Sequence, residues 1–300
     1  MKTIDPQEVK NAEFYAYLVG AVAPRPIAFA STVNGDGNVN LSPFSFFNLF
    51  GANPPILVFS PLLRMRDTTS KHTLQNVEQT REVVINIANY ALVEQLSLAS
   101  TEYEAGVNEF VKAGLTPAAS TLVAPPRVQE APVAMECKVK DIVALGNQGG
   151  AGNLVICEVL LLHLHEGILD ESGKTIDPHQ LDAVARMGGN WYCRVTAESL
   201  FELPKPLRNR GIGVDQLPES IRHSPVLTGN NLARLGNTEK IPSVEEVQAY
   251  RQEPLVSYYL TRYRQDPEER VQQLHVLAKK LLEAGKTEEA WKVLLISLNE

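Results

Sequence analysis

The first two hundred residues alternate short apolar runs with turn-forming residues, and long amphipathic periods are scarce. Residues 26–33 (PIAFASTV) are rich in strand-favouring side chains. Asn34-Gly35-Asp36-Gly37-Asn38 follows, and its Asn-Gly and Asp-Gly pairs accept the positive φ of a tight hairpin. Extended character resumes over 39–50, breaks at Asn53-Pro54-Pro55, and returns in the apolar run 56–60. Val83, Ile85 and Ile87 alternate with Val84, Asn86 and Ala88, the period of a strand. Residues 133–145 and 154–165 are long enough to pair, and the glycine-rich 146–153 suits a wide turn between them. Helices are minor. Residues 70–80 place Leu74 and Val77 three apart with Ser70 as a cap, and 92–100 and 178–186 are two further short candidates. Many strands with few, short helices predict a mainly β fold, an antiparallel barrel with peripheral helices, rather than alternating βαβ units.

The pattern changes at Pro204-Lys205-Pro206. Residues 1–205 are read as the barrel domain. Residues 206–242 are rich in Gly, Asn, Pro and Leu without a clear period, and are read as an ordered but irregular arm. Residues 243–300 are read as a helical extension. There Asp266 caps, Pro267 takes the first helical position, and Glu268 and Glu269 favour the positive helix end. Val271, Leu274, Leu277, Ala278 and Leu281 recur at helical spacing, Gly285 stops the helix, and Thr287 restarts it. Trp291, Leu294, Leu295 and Leu298 form the next stripe. The pair resembles a tetratricopeptide-type hairpin, with no second copy to support a repeat array. Such stripes are read as packing surfaces.

Composition narrows the function classes. Of 300 residues, 44% are apolar and 21% charged, so the chain can bury a core. The net charge of −7 disfavours nucleic acid as a partner, because phosphate backbones need a basic face. No run of about 20 uncharged apolar residues is present, so no membrane span is expected. The polar N-terminal MKTIDPQEVKNAEF lacks the apolar segment of a signal peptide. Three cysteines without a CxxC fit neither a disulfide scaffold nor a cysteine zinc site, and the expected location is cytoplasmic.

Two neighbouring segments carry candidate chemistry. Phe44, Phe46, Phe47 and Phe50 are four of the nine phenylalanines within seven positions, interleaved with Ser42, Ser45 and Asn48. Such a strand suits a flat aromatic ligand, with apolar walls and hydroxyls for ring heteroatoms. On composition alone, a strand buried on both faces is the plainer reading. Downstream, Arg64, Arg66 and Lys71 cluster with Ser60, Thr68, Thr69 and Ser70 where a strand enters a helix. Cations, hydroxyls and helix N–H groups together suit an anion such as phosphate, while a solvated helix cap is the plainer reading.

Taken in order, these and further motifs resemble the flavin reductase-like family, which includes flavoredoxin and the reductase components of two-component monooxygenases. The resemblance runs through Pro24-Arg25-Pro26-Ile27-Ala28, Ser31-Thr32-Val33, residues 40–48 (NLSPFSFFN), Pro54-Pro55 and Arg66-Asp67-Thr68 with Asn76. It continues through Gly106-Val107-Asn108-Glu109-Phe110, Ala113-Gly114-Leu115-Thr116-Pro117, Pro132-Val133, Glu136-Cys137 and residues 186–192 (RMGGNWY). It covers residues 8–205. It implies a Greek-key split β-barrel, FMN bound non-covalently, and a homodimer whose interface helps to build the flavin site. It places the flavin ring and ribityl chain along Ser42, Pro43, Phe44, Ser45, Phe46 and Phe47. The phosphate falls near Ser60, Arg66, Thr68 and Lys71, with Thr32 also at the site. Gly189, Asn190 and Tyr192 match a segment that approaches the ring. No residue matches an obligatory catalytic acid or base, which fits hydride transfer between nicotinamide and flavin, where positioning carries the reaction. The implied activity is an NAD(P)H-dependent flavin reductase-type oxidoreductase. The alternatives are a flavoredoxin-like protein exchanging electrons with a protein acceptor, and a non-catalytic FMN-binding or interaction protein.

Other features are set aside. His163 and His165 share a strand face without ligands at metal spacing. Cys157 and Cys193 read as small core residues. Gly149, Gly150 and Gly152 do not open a helix after a strand and so are no dinucleotide fingerprint.

Overall fold

The computed structural model describes residues 1–203 and 210–298. The chain forms two compact units, Met1–Phe201 and Glu202–Glu300. The sequence boundary at Pro204-Lys205-Pro206 lies outside the described residues.

The first unit opens with α1 (Asn11–Ala21), then β1 (Ala28–Val33), β2 (Val39–Phe44), β3 (Phe47–Ala52) and β4 (Pro55–Phe59). After α2 (His72–Thr80) come β5 (Glu82–Ile87), α3 (Val93–Leu98) and α4 (Glu109–Ala113). β6 (Pro117–Ala118) and β7 (Arg127–Val128) form a minimal ladder. The long hairpin β8 (Val133–Ala144) and β9 (Asn153–Leu164) follows. α5 (Pro178–Leu181) leads to the small hairpin β10 (Val184–Arg186) and β11 (Tyr192–Arg194).

Seven strands make one sheet in the order β2-β1-β5-β8-β9-β4-β3, with every neighbouring pair antiparallel. β2 and β3 occupy opposite edges, yet β2 ends at Phe44 and β3 begins at Phe47. Three residue steps span at most roughly 11 Å. The sheet must therefore curl until its edges nearly meet. Among the described residues no ladder joins those edges, so the expected barrel is open, split along the β2–β3 seam.

β1 is buried on both faces, and its alternation shows why. Ala28 and Ala30 face an inner core of Phe44, Phe59, Ile85, Cys137 and Cys157, which Leu74 and Val77 of α2 close. Phe29 faces an outer core with Leu41, Leu96 of α3 and Phe110 of α4.

Two local expectations are corrected, and one helix is added. The N-cap of α2 is Lys71, without a side-chain capping bond. Ser70 is engaged elsewhere, its carbonyl accepting from Arg64 and its hydroxyl from Gln75. The helix expected over 178–186 stops at Leu181, because Asp182 turns left-handed at φ 49° and the chain re-enters a strand. α1 was not foreseen; none of its residues is buried, so no apolar period marks it.

The second unit holds α6 (Glu219–Arg222), α7 (Gly229–Gly236), α8 (Val244–Tyr250), α9 (Pro254–Arg262), α10 (Pro267–Glu283) and α11 (Thr287–Ser297). Asp266 accepts from the Glu269 amide and Gly285 sits at φ 78°, the stop and start signals read from the sequence. The stretch expected to be irregular contains α6 and α7. Its Leu217, Ile221, Leu227 and Leu235 share one core with Leu274, Leu282, Trp291 and Leu294. Among the described residues no helix is long and apolar enough to cross a membrane.

Candidate functional site

The seam where β2 gives way to β3 borders a cleft of about 400 Å³, within the roughly 300–1,000 Å³ of small-molecule sites. Its first wall is the end of β2 and the link that follows: Pro43, Phe44, Ser45 and Phe46. Phe44 packs at 5.4 Å against Phe59, and Lys71 Nζ lies 5.4 Å from the centroid of the Phe44 ring. Phe46 is braced edge-on by Tyr15 at 6.3 Å and by the Arg25 guanidinium at 5.8 Å. The Phe46 carbonyl accepts from the Ser60 amide at 2.8 Å, tying the link to the end of β4.

Arg25 holds this wall in place. It is buried, and its guanidinium donates to the Val19, Val22 and Met187 carbonyls, with Ser45 Oγ 3.4 Å from Nε. One side chain thus anchors the end of α1, the β10–β11 hairpin and the cleft serine together.

The second wall is Ser60 and the segment 62–66 before α2. Arg64 donates to Thr69 Oγ1 at 2.9 Å and to the Ser70 carbonyl at 2.8 Å, which closes the 64–70 turn. Asp67 accepts from the Thr69 hydroxyl and amide and from Arg66 Nε. The hydrogen bonds from Thr69 first, and then Arg66, hold its carboxyl far below the usual carboxylate range. Burial lowers the Lys71 ammonium from its ordinary value, with Glu102 opposing. Arg64, Arg66 and Lys71 face a single carboxylate in the cleft, Glu102, so this end attracts anions.

The 146–152 loop backs the second wall. Leu63 donates to the Ala151 carbonyl, and Gly150 donates back to the Leu63 carbonyl. A Cβ on Gly149 would stand 2.8 Å from the Met65 carbonyl oxygen, and one on Gly152 2.8 Å from Ser60 Oγ. Gly149 thus permits close backbone approach under the cleft, and Gly152 leaves room for the Ser60 hydroxyl.

Of the residues expected at the site, Pro43, Phe44, Ser45, Phe46, Ser60, Arg66 and Lys71 line the cleft together. Ser42 lines an adjoining small pocket shared with Arg64, Lys71 and Glu102. Phe47 begins β3 and packs on the inner core. Thr68 is exposed at the turn, at φ 62°, outside the cleft lining. Thr32 is fully buried on β1, its hydroxyl accepting from Asn76 at 3.0 Å, and so serves to seat α2. Gly189, Asn190 and Tyr192 lie in the β10–β11 hairpin; Arg186 stacks at 4.5 Å on Tyr192 and donates to the Gly189 carbonyl. None of these three lines the cleft. The sequence reading left out Leu62, Leu63, Arg64, Met65 and Glu102. Arg64 was legible in the cationic cluster, whereas Glu102 comes from a distant segment without any motif.

Curled open sheet and a cleft with apolar walls and a cationic end together define an open-barrel protein with a cavity of small-molecule size. The chain belongs to the flavin reductase-like family: the model described as flavin reductase like domain matches residues 20–179. An uncharacterized protein of Aquifex aeolicus (strain VF5) is 36% identical over 192 residues, covering 64% of this chain and 95% of its own. Among solved structures, nitrilotriacetate monooxygenase component B from Bacillus cereus is 29% identical with a TM-score of 0.63, covering 68% of this chain and 98% of its own. The 2-nitrobenzoate 2-nitroreductase of Pseudomonas fluorescens is 27% identical with a TM-score of 0.61, covering 70% and 100%.

Proposed function

We propose that the cleft binds FMN non-covalently and that the protein is a flavin reductase-type oxidoreductase using NAD(P)H as electron donor. The observation that carries this reading is a single cleft with aromatic and aliphatic walls at one part and three cations at another. The donor set fits the group. Phe44, Phe46 and the leucines 62 and 63 offer apolar contact to a flat ring, and Ser42, Ser45 and Ser60 offer hydroxyls for its polar edge and chain. Arg64, Arg66 and Lys71 offer donors to a phosphate. When bound, the flavin supplies two-electron chemistry by accepting a hydride from a reduced nicotinamide. The titratable lining residues are Arg64, Arg66, Lys71 and Glu102, all grouped at the cationic end, so the protein's part is positioning. Two solved relatives carry redox names, a monooxygenase component and a nitroreductase, in keeping with this class.

We further propose a homodimer. Its support is the second half of β9, where Leu160, Leu162 and Leu164 stand exposed at every second position.

The test is the visible spectrum of purified protein given FMN, before and after anaerobic NADH or NADPH. Uptake of flavin and its bleaching by either nicotinamide is expected. Bleaching only by a protein donor would replace the reductase reading with an electron-transfer one. A protein that takes up no FMN would end both.

A further inference from the structure

The cationic end of the cleft already holds an anion, and that anion belongs to the chain. Glu102 follows α3, far in sequence from residues 64–71, yet its two oxygens engage two different arginines. Oε1 lies 3.5 Å from Arg64 Nε, and Oε2 lies 3.2 Å from Arg66 Nη2. The same residue lines both the main cleft and the small pocket beside Ser42.

Two carboxylates stand in this cluster, and they differ. Asp67 is locked by the hydroxyl and amide of Thr69 and by Arg66 Nε, and so belongs to the turn. Glu102 is 48% exposed, and its described polar contacts are the two guanidinium groups alone. Ion pairs of such exposure are weak and readily exchanged. Arg64 does not depend on it for its position, because Thr69 Oγ1 and the Ser70 carbonyl hold Nη1. Its Nε is shielded from solvent and has no well-aligned hydrogen-bond acceptor, since the Glu102 oxygen is distant. The clamp is built, and the group filling it fills it poorly.

We propose that Glu102 is a displaceable internal anion that occupies the phosphate subsite of the cleft and competes there with an entering phosphomonoester. This rests on the FMN reading above and deepens it. An entering phosphate must displace a carboxylate from two arginines, whereas a ligand without one can bind the rest of the cleft and leave that pair in place. A neutral hydroxymethyl end cannot displace it. A phosphomonoester, with a charge of about −1.5 to −2 and three acceptor oxygens, can engage both guanidinium groups and Lys71. No bond is made or broken; one set of ion pairs replaces another.

The experiment compares FMN and riboflavin binding, by flavin fluorescence quenching, in the full-length protein and in Glu102→Gln. Removing the competing charge should tighten FMN binding about tenfold, the scale of two exposed ion pairs. Riboflavin affinity should stay within about twofold, which also reports that the variant is folded. An FMN-to-riboflavin preference that is unchanged or reduced in the variant overturns the proposal. A second arm needs no flavin: inorganic phosphate should raise the thermal midpoint of Glu102→Gln more than that of the parent. Equal phosphate shifts overturn the proposal even if flavin binds. Failure of both proteins to bind either flavin would overturn the FMN reading, while the phosphate arm would still decide the role of Glu102.

Discussion

Gly149 shows how a side chain that does not exist can shape a site. Its missing Cβ would press on the Met65 carbonyl at 2.8 Å and the Arg64 carbonyl at 3.1 Å, both backbone atoms that cannot rotate aside. Gly149→Ala should therefore push residues 64–66 out of line. Overpacking of this kind costs about 1–3 kcal/mol, and FMN affinity should fall at least tenfold, read by equilibrium fluorescence titration. Lys71→Ala tests the cationic end more selectively. Its ammonium is partly desolvated over Phe44 and faces the anion end. Losing a charge-assisted hydrogen bond worth about 1.5–3 kcal/mol should weaken FMN binding roughly 10- to 100-fold. Riboflavin, which lacks the phosphate, should bind the variant almost as it binds the parent. The contiguous features of the site, residues 42–47 and 60–71, were legible because neighbours in sequence stay neighbours on one strand and turn. Glu102, Gly149 and Gly152 were not, because they reach the cleft through chain folding alone. The glycine run was read only as a turn, and its contact with Met65 has no local signature. Thr32 likewise accepts from Asn76 of α2, a contact 44 residues apart that no local pattern announces.

At the scale of elements, β8 carries a buried carboxylate with three partners. Glu136 is fully buried, accepting from the Thr121 amide at 2.7 Å and the Leu122 amide at 2.5 Å, with His163 Nε2 of β9 at 2.7 Å. The register between the strands slips beside it, between Glu136 and Cys137. The residue thereby ties the loop ahead of β7 to the central hairpin. Burial pushes its carboxyl up, but the amide bonds and His163 outweigh it and hold it below the ordinary value. A carboxyl with a depressed folded-state pKa stabilises above its unfolded value, about 4.3, and loses that contribution as pH falls through the folded value. Glu136→Gln sets an NH₂ against a backbone N–H and should cost about 2–3 kcal/mol at neutral pH. Urea unfolding should show that gap between parent and variant narrowing as the pH drops below about 4. A gap independent of pH would mean that charge contributes nothing there. The sequence reading weighed His163 only as a metal ligand, because its partner lies 27 residues away across a bulged ladder. Strand existence was readable from period two, whereas this cross-strand pairing was not.

On the scale of the whole chain, the family match ends at residue 179 and the second unit lies beyond it. Its α10–α11 hairpin was legible because its caps are local: Asp266 before Pro267, and Gly285 between the helices. α6 and α7, of four and eight residues, repeat too briefly to show a period. For the first unit, the apolar residues left outside the cores bear on assembly. On β9, Val155 and Cys157 point into the inner core, while Leu160, Leu162 and Leu164 are 42%, 49% and 36% exposed after the ladder shifts register. On the edge strand β3, Leu49 and Phe50 are also exposed. Isolated exposed leucines are ordinary, but a regular row on a sheet face marks an interaction surface. If two copies pair through the β9 row, Leu162→Glu sets a carboxylate at its centre on each copy. An unpaired charge buried there should cost about 3 kcal/mol or more, raising the dimer dissociation constant at least roughly 100-fold. Because Leu162 is 49% exposed in the single chain, the monomer's own fold should survive, and circular dichroism should keep the parent's β signal. Light scattering across a dilution series should then find a dimer in the parent and a monomer in the variant at the same concentration. A parent that is monomeric, or a variant that stays dimeric, would show that the β9 row is not where copies of this chain meet.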